Sequence, residues 1–142
     1  MAVKILYVDD NQDDIFLMNY SFKKYKDQAE LYIFTDGRHF LSFVNKENGY
    51  KDRPPLKEPC CLLLDINMPY LNGFEVLEKL KNSPDTQMRE IPVIMFSSSY
   101  RDSDREKGKS LGAVDHIKKP FCLSEMSEVL NMLVTCLNSK LQ

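Results

Sequence analysis

The sequence predicts an α/β fold in which five strands, each followed by a helix, form one doubly wound parallel sheet, a (βα)5 arrangement. Two observations carry this prediction. The runs 60–64 (CCLLL) and 91–96 (IPVIMF) are apolar without alternation, as in strands that are buried on both faces of a sheet. Segments with helical spacing of apolar residues alternate with the predicted strands, and most connections between them are short.

The individual elements follow from apolar patterns and from signals at their ends. We expect strands over 3–8, 30–34, 60–64, 91–96 and 113–118. We expect helices from 11 or 12 to the lysines at 23–26, from 35 or 36 to about 44, and over 73–81, 102–111 and 123–137. Residues 45–59 form one long polar connection, whose double proline favours a surface loop. The last helix carries one apolar stripe, which we expect to be buried: Leu123, Met126, Leu130, Leu133, Val134 and Leu137.

Four of the predicted strands end in polar residues that are common in catalytic sites. Asp9 and Asp10 follow the first strand, Asp65 the third, Ser97 the fourth and Lys119 the fifth. If the strand order is the flavodoxin-like 2-1-3-4-5, all of them lie at the carboxyl edge of the sheet, where ligands bind in open α/β folds. Each residue alone fits a cap, a turn or a solvated charge. Five of them at corresponding strand ends predict one common site.

The residue types at this edge suit phosphoryl chemistry. Three neighbouring carboxylates repel one another unless a cation lies between them. Carboxylates with room for water suit Mg²⁺, and the backbone carbonyl of Asn67 offers a further oxygen ligand. A carboxylate beside Mg²⁺ is a competent nucleophile towards phosphorus, which predicts an aspartyl-phosphate on Asp65. We expect the Lys119 ammonium and the Ser97 hydroxyl to contact the phosphoryl oxygens.

The composition narrows the class of protein. The chain has 142 residues, 43% of them hydrophobic and 28% charged, and its formal net charge is −2, which describes one globular domain. This balance gives no electrostatic reason to expect nucleic acid or a membrane as a partner, and the sequence contains no recognisable signal peptide. The cysteines lack metal-site spacing and are interpreted as small buried residues of a reducing compartment, which predicts a cytoplasmic location: Cys60, Cys61, Cys122 and Cys136.

From end to end the chain resembles a bacterial two-component receiver domain, the CheY-like domain of response regulators. The resemblance rests on Asp9-Asp10 after the first strand, on LLLDINMPYLNG around Asp65, on Ser97 after IPVIMF, and on the KPF that starts at Lys119. The RPP in the long loop and the segment 83–92 are similar to stand-alone receivers that accompany phytochrome-type and hybrid histidine kinases.

This resemblance implies a role in a phosphorelay. Asp65 would accept a phosphoryl group from a sensor histidine kinase or a histidine phosphotransfer protein, with Mg²⁺ held by Asp9, Asp10, Asp65 and the Asn67 carbonyl. It also implies a single receiver domain over 1–142 without an output domain. The protein would then not be an enzyme, and its only chemistry would be Mg²⁺-dependent self-phosphorylation and slow self-dephosphorylation.

The resemblance further implies a switch that starts at Ser97. Its movement towards the phosphoryl group would change the surface formed by the helix 102–111, the strand 113–118 and the helix 123–137. An unknown downstream protein, or a second copy of the chain, would bind there. In the family an aromatic residue of the fifth strand rotates inward; here that position is His116. A switching role for His116 and a purely structural one both stay open.

Other functions remain alternatives. A receiver-like module that binds its partner without phosphate would retain the same fold. A phosphohydrolase of the haloacid dehalogenase type also uses a strand-end aspartate, but it needs a second aspartate where this chain has Asn67. A flavodoxin-like electron carrier would need a phosphate-binding loop after the first strand, and a histidine phosphocarrier would need a histidine on a helical bundle.

Overall fold

The chain forms one parallel sheet that is covered by helices on both faces. The structure, a computed structural model, describes residues 2–57 and 59–141. The strands are β1 (Val3–Val8), β2 (Ala29–Phe34), β3 (Cys60–Leu64), β4 (Val93–Ser97) and β5 (Asp115–Lys118). They pair in the order β2-β1-β3-β4-β5, and all the pairs are parallel. The predicted fold class and strand order are confirmed.

The described residues contain six α-helices and two short 3₁₀ turns, rather than the five helices that we expected. The helices are α1 (Gln12–Phe22), α2 (Gly37–Asn45), α3 (Gly73–Lys81), α4 (Thr86–Arg89), α5 (Asp102–Ser110) and α6 (Leu123–Asn138), and the 3₁₀ turns are Lys23–Tyr25 and Ser139–Leu141. The sequence reading missed α4, which has four residues and therefore no apolar periodicity. Its start is capped by the Asp85 side chain, which accepts from the Met88 N–H, and the Met88 side chain is fully buried.

Two strands begin later than we expected. Residue 92 is a proline without an N–H, so β4 begins at Val93 and runs one residue further, through Ser97. The Ala113 N–H donates to the Gly108 carbonyl and so belongs to the end of α5, which leaves β5 to begin at Asp115. As a result, Ser97 lies within the sheet rather than after it.

The core has two halves, one on each face of the sheet. Alternate residues of β3 point into different halves, with Leu62 and Leu64 towards α2 and α3, and Leu63 towards α1 and α6. This two-sided burial explains the continuous apolar runs. Leu123 was predicted to lie on the buried stripe of α6 but is 43% exposed, because it is the first residue of the helix and lies beyond the core.

The predicted surface loop 45–59 is mostly exposed, and Arg53 and the buried Leu56 are among the residues that attach it to the domain. Residue 58 lies outside the described part of the chain, and α2 extends through Asn45. The Arg53 guanidinium donates to the carbonyls of Phe43 and Val44 at the end of α2 and lies 3.5 Å from the Asp85 carboxylate. No helix in the described residues is long and apolar enough to cross a membrane.

Candidate functional site

Four of the predicted residues, the three aspartates and Lys119, meet at the carboxyl edge of the sheet, where β1 and β3 are neighbours. Asp9 and Asp10 follow β1, and Asp65 follows β3; one carboxylate oxygen from each lies within 4.8 Å of the others. Asp9 is fully buried, Asp65 is 4% exposed and Asp10 is half-buried. We call these three carboxylates and the Lys119 ammonium the acidic site. A cavity of about 490 Å³ opens onto it, lined by Asp10, Asn11, Gln12, Asp14, Asp65, Asn67, Ser98 and Lys119.

Lys119 is the cation of the acidic site. Its Nζ lies 2.7 Å from Asp9 Oδ2, 2.9 Å from Asp14 Oδ2 and 3.2 Å from Asp65 Oδ1. Burial lowers the pKa of Lys119, but its contacts with these carboxylates outweigh burial and hold the pKa above its ordinary value. The ammonium therefore stays charged at neutral pH and faces more negative charge than it can neutralise.

The excess negative charge in the acidic site affects the pKa of Asp65. Burial raises its pKa, the neighbouring Asp9 charge raises it further, and Lys119 opposes both, so that the pKa of Asp65 rises to about 7. Deprotonation at neutral pH becomes easier when more positive charge enters the site. A hard divalent cation, which prefers carboxylate oxygens, would supply that charge. The acidic site is therefore suited both to hold a cation and to be activated by one.

The local backbone fixes the position of Asp65. Its N–H donates to the Val8 carbonyl, which continues the pairing of β1 with β3 by one residue. The Gly73 N–H donates to the Ile66 carbonyl at 2.8 Å, and a methyl group on Gly73 would overlap the Asp65 carbonyl oxygen. α3 can therefore start directly against the backbone of Asp65 only because residue 73 is glycine. Asn72 and Glu75 close this helix start with a reciprocal capping box.

Two contacts of the acidic site were missed from the sequence. The Tyr7 hydroxyl donates to Asp9 Oδ2 at 2.5 Å, and Asp14 is the third carboxylate on Lys119. Tyr7 and Asp9 are two residues apart in an extended segment, so their side chains share a face of the sheet. This alternation of side chains could have indicated from the sequence that the two residues are neighbours. Asp14 lies on the first turn of α1, one turn after Asp10, and was interpreted only as favourable to the helix dipole.

Ser97 and His116 lie near the acidic site but not in it. Ser97 is fully buried, its hydroxyl accepts from the Ser99 N–H at 3.2 Å, and the wall of the cavity is formed instead by Ser98. The Ser97 carbonyl accepts from the Lys119 N–H at 2.9 Å, which couples the ends of β4 and β5. His116 is 8% exposed, and its Nε2 lies 3.1 Å from the Ser99 carbonyl.

Ser99 is thus the link between the two residues that the sequence reading proposed for a switch. The carbonyl is an acceptor, so Nε2 of His116 donates in this contact, while the buried Nδ1 has no hydrogen-bond partner among the described residues. The ring also packs edge-on against Tyr100, with centroids 5.6 Å apart. His116 lines a second cavity, of about 390 Å³, between α5 and β5.

The sequence and the fold of the chain are both similar to those of response regulators. The family model for the response regulator receiver domain matches residues 5–131. The response regulator Rcp1 of Synechocystis sp. is 33% identical over 100 residues, which is 70% of this chain and 65%, slightly under two thirds, of the length of that relative.

Two solved structures resemble the chain over most of its length. The phosphorylated cyanobacterial phytochrome response regulator RcpA has a TM-score of 0.84 and 26% identity, covering 99% of this chain and 96% of that one. The Mn²⁺-bound form of response regulator Rcp1 has a TM-score of 0.77 and 27% identity, covering 92% and 91%.

Proposed function

Because the chain belongs to the response regulator receiver domain family, we propose that it relays a signal by accepting a phosphoryl group on Asp65. The observation that carries this proposal is the acidic site itself, in which a nearly buried Asp65 lies beside two further carboxylates and 3.2 Å from a buried ammonium. The donor would be the phosphohistidine of a sensor histidine kinase or a histidine phosphotransfer protein. The similar protein RcpA is named a cyanobacterial phytochrome response regulator, which favours a kinase of the phytochrome type.

The donor set fits Mg²⁺ as the cofactor. Asp9, Asp10 and Asp65 offer three hard oxygen ligands within 4.8 Å of one another, and the Asn67 carbonyl would add a fourth. The similar response regulator Rcp1 has a Mn²⁺-bound form, which supports a divalent cation as a ligand of this chain. When bound, Mg²⁺ would neutralise charge on the carboxylates and on the incoming phosphoryl oxygens.

The residues of the chain would perform the transfer as follows. A carboxylate oxygen of Asp65 forms a bond to phosphorus while the phosphorus–nitrogen bond of the donor breaks, and the donor imidazole keeps that electron pair. Lys119 moves its ammonium from the carboxylates to a phosphoryl oxygen, which stabilises the developing charge. The Ser97 hydroxyl, now bonded to the Ser99 N–H, turns to a second phosphoryl oxygen.

Movement of Ser97 would reach the surface of the domain through Ser99. The Ser99 N–H and carbonyl contact Ser97 and His116 respectively, so a shift of this backbone changes the packing of the His116 ring between α5 and β5. The surface formed by α5, β5 and α6 would then bind a downstream protein or a second copy of the chain. We propose His116 as the residue that communicates the change, in place of the aromatic residue of the family.

Intact-protein mass after incubation with acetyl phosphate tests this function. We expect the mass of one phosphoryl group to be added in the presence of Mg²⁺, to be absent with a chelator, and to be absent from Asp65→Asn. Asp27→Asn, which changes an exposed aspartate, should gain the phosphoryl group as the wild type does. Repeated turnover of acetyl phosphate without an adduct would instead indicate a phosphohydrolase. If the wild type shows neither an adduct nor turnover of acetyl phosphate, the chain would be a module that acts without phosphate.

A further inference from the structure

Asp9 is the most constrained carboxylate of the acidic site. It is fully buried, and both of its oxygens have partners. Oδ1 accepts from the Asn11 N–H at 2.9 Å, while Oδ2 accepts both from the Tyr7 hydroxyl at 2.5 Å and from Lys119 Nζ at 2.7 Å. A buried carboxylate loses much of its stabilisation when a partner leaves. The stability of the Asp9 carboxylate therefore depends on which of its three donors stay in place.

Lys119 is the partner that must move if the protein works as we propose. Its ammonium is shared among Asp9, Asp14 and Asp65, and a phosphoryl group on Asp65 adds about −1.5 to −2 charges beside it. A cation bound among the carboxylates repels the ammonium as well. Both events draw Lys119 away from Asp9 Oδ2, so that only Tyr7 still donates to that oxygen.

Tyr7 cannot follow Lys119, because its ring is fixed in the core. Its side chain is fully buried, it extends from β1, and it packs edge-on against Phe96 with ring centroids 5.8 Å apart. The hydroxyl is a hydrogen-bond donor that points at Asp9 Oδ2 and keeps this position while the ring stays packed.

We propose that Tyr7 is a positioning residue that holds the Asp9 carboxylate ready for a divalent cation after Lys119 has left it. This inference rests on the proposed function, because it assumes that a cation binds at the acidic site. Outer partners of metal-binding carboxylates commonly change metal affinity by about 10- to 100-fold when they are removed. We therefore expect Tyr7→Phe to raise the Kd for Mg²⁺ or Mn²⁺ about tenfold.

The test is isothermal titration of the purified chain with MnCl₂ and with MgCl₂, without any phosphoryl donor. Tyr25→Phe is the matched control. Tyr25 is a similarly buried tyrosine of the same half of the core, and its hydroxyl faces the Ser127 carbonyl at 3.4 Å, outside the acidic site. The control should bind both ions with the Kd of the wild type. A Tyr7→Phe Kd within twofold of the wild-type value would overturn the inference.

A second readout separates positioning from a general loss of structure. With acetyl phosphate, Tyr7→Phe should need about tenfold more Mg²⁺ for half-maximal phosphorylation, and it should reach the wild-type rate at saturating Mg²⁺. A lower rate at saturation with an unchanged Mg²⁺ requirement would contradict a positioning role. If the wild type itself binds neither ion, the metal site of the proposed function fails, and the inference fails with it. If the wild type binds and Tyr7→Phe binds equally, only the inference fails.

The Tyr7 hydroxyl proton can also be observed directly in the wild type, so this test does not depend on a variant that folds. The Tyr7 hydroxyl is buried and donates to Asp9 Oδ2, so its proton should exchange slowly and give a signal near the Phe96 ring in an NMR spectrum. We expect this signal to persist when Mg²⁺ and beryllofluoride, a phosphoryl mimic, are added. Its loss on addition would show that Tyr7 does not hold Asp9 in the loaded state.

Discussion

Replacing Asp65 with asparagine should stabilise the fold, and the gain should grow with pH. The pKa of Asp65 rises to about 7, from an ordinary value of 3.8, because the group is buried beside Asp9. Below pH 3.8 both the folded and the unfolded states keep the proton, and no penalty arises. As pH rises, the unfolded state loses its proton first, so the folded state is progressively disfavoured until the folded pKa has been passed. Asparagine cannot ionise and escapes this penalty.

The magnitude follows from the two pKa values. With about 1.4 kcal/mol for each tenfold difference in the ionisation constant, values of 3.8 and about 7 give a penalty of about 2 kcal/mol at pH 5 and about 4 kcal/mol at pH 8. The stability advantage of Asp65→Asn should therefore increase by about 2 kcal/mol between these two pH values. Mg²⁺ should shrink the advantage at pH 8, because a cation that binds only the folded wild type stabilises it.

Urea unfolding in chelator-containing buffer at pH 5, 6, 7 and 8 measures this difference, with Asp27→Asn as the control. Asp27 is exposed, so its replacement should shift the free energy of unfolding little. An advantage of Asp65→Asn that stays constant, or that falls as pH rises, would refute the description of Asp65 as a carboxylate disfavoured by its surroundings.

Two further predictions concern the supports of the site. His116→Leu places a side chain of similar size at this position but loses the bond to the Ser99 carbonyl, worth about 1 kcal/mol. Amide exchange across 98–100 should accelerate about fivefold, and an unchanged rate would show that His116 does not hold this segment. Gly73→Ala places a methyl group against the carbonyl of Asp65 and 2.9 Å from the Ile66 Cα. The substitution should lower the free energy of unfolding, measured with urea, by about 1–3 kcal/mol, and it should weaken Mg²⁺ binding. Wild-type values for both quantities would contradict the proposed contact.

The backbone framework was largely predictable from the sequence, for a physical reason. β3 and β4 are buried on both faces, so β3 is apolar throughout and β4 is apolar up to Ser97, and these runs mark the two strands in the sequence. Parallel strands bring their carboxyl ends to one edge, so the convergence of Asp9, Asp65 and Lys119 follows once the strands are ordered.

The contacts between elements were harder to predict. Asp14 reaches Lys119 across 105 positions of the chain, and nothing in the local pattern of α1 distinguishes it from a residue that favours the helix dipole. Tyr7 lies within an apolar strand, where a tyrosine ordinarily indicates packing rather than a hydrogen bond to a carboxylate of the acidic site. Whether Ser97 or Ser98 lines the cavity depends on where β4 ends, and strand ends are poorly defined by sequence.

Chemical mapping of the phosphorylated residue tests whether Asp65 itself carries the phosphoryl group. The protein would be incubated with acetyl phosphate and Mg²⁺, reduced with borohydride, which converts an acyl phosphate to an alcohol, and digested for peptide mass analysis. We predict a single reduced residue at position 65, absent when Mg²⁺ is withheld. Reduction at Asp9, Asp10 or Asp14 instead, or at no aspartate while wild-type Mg²⁺ binding is intact, would contradict the account.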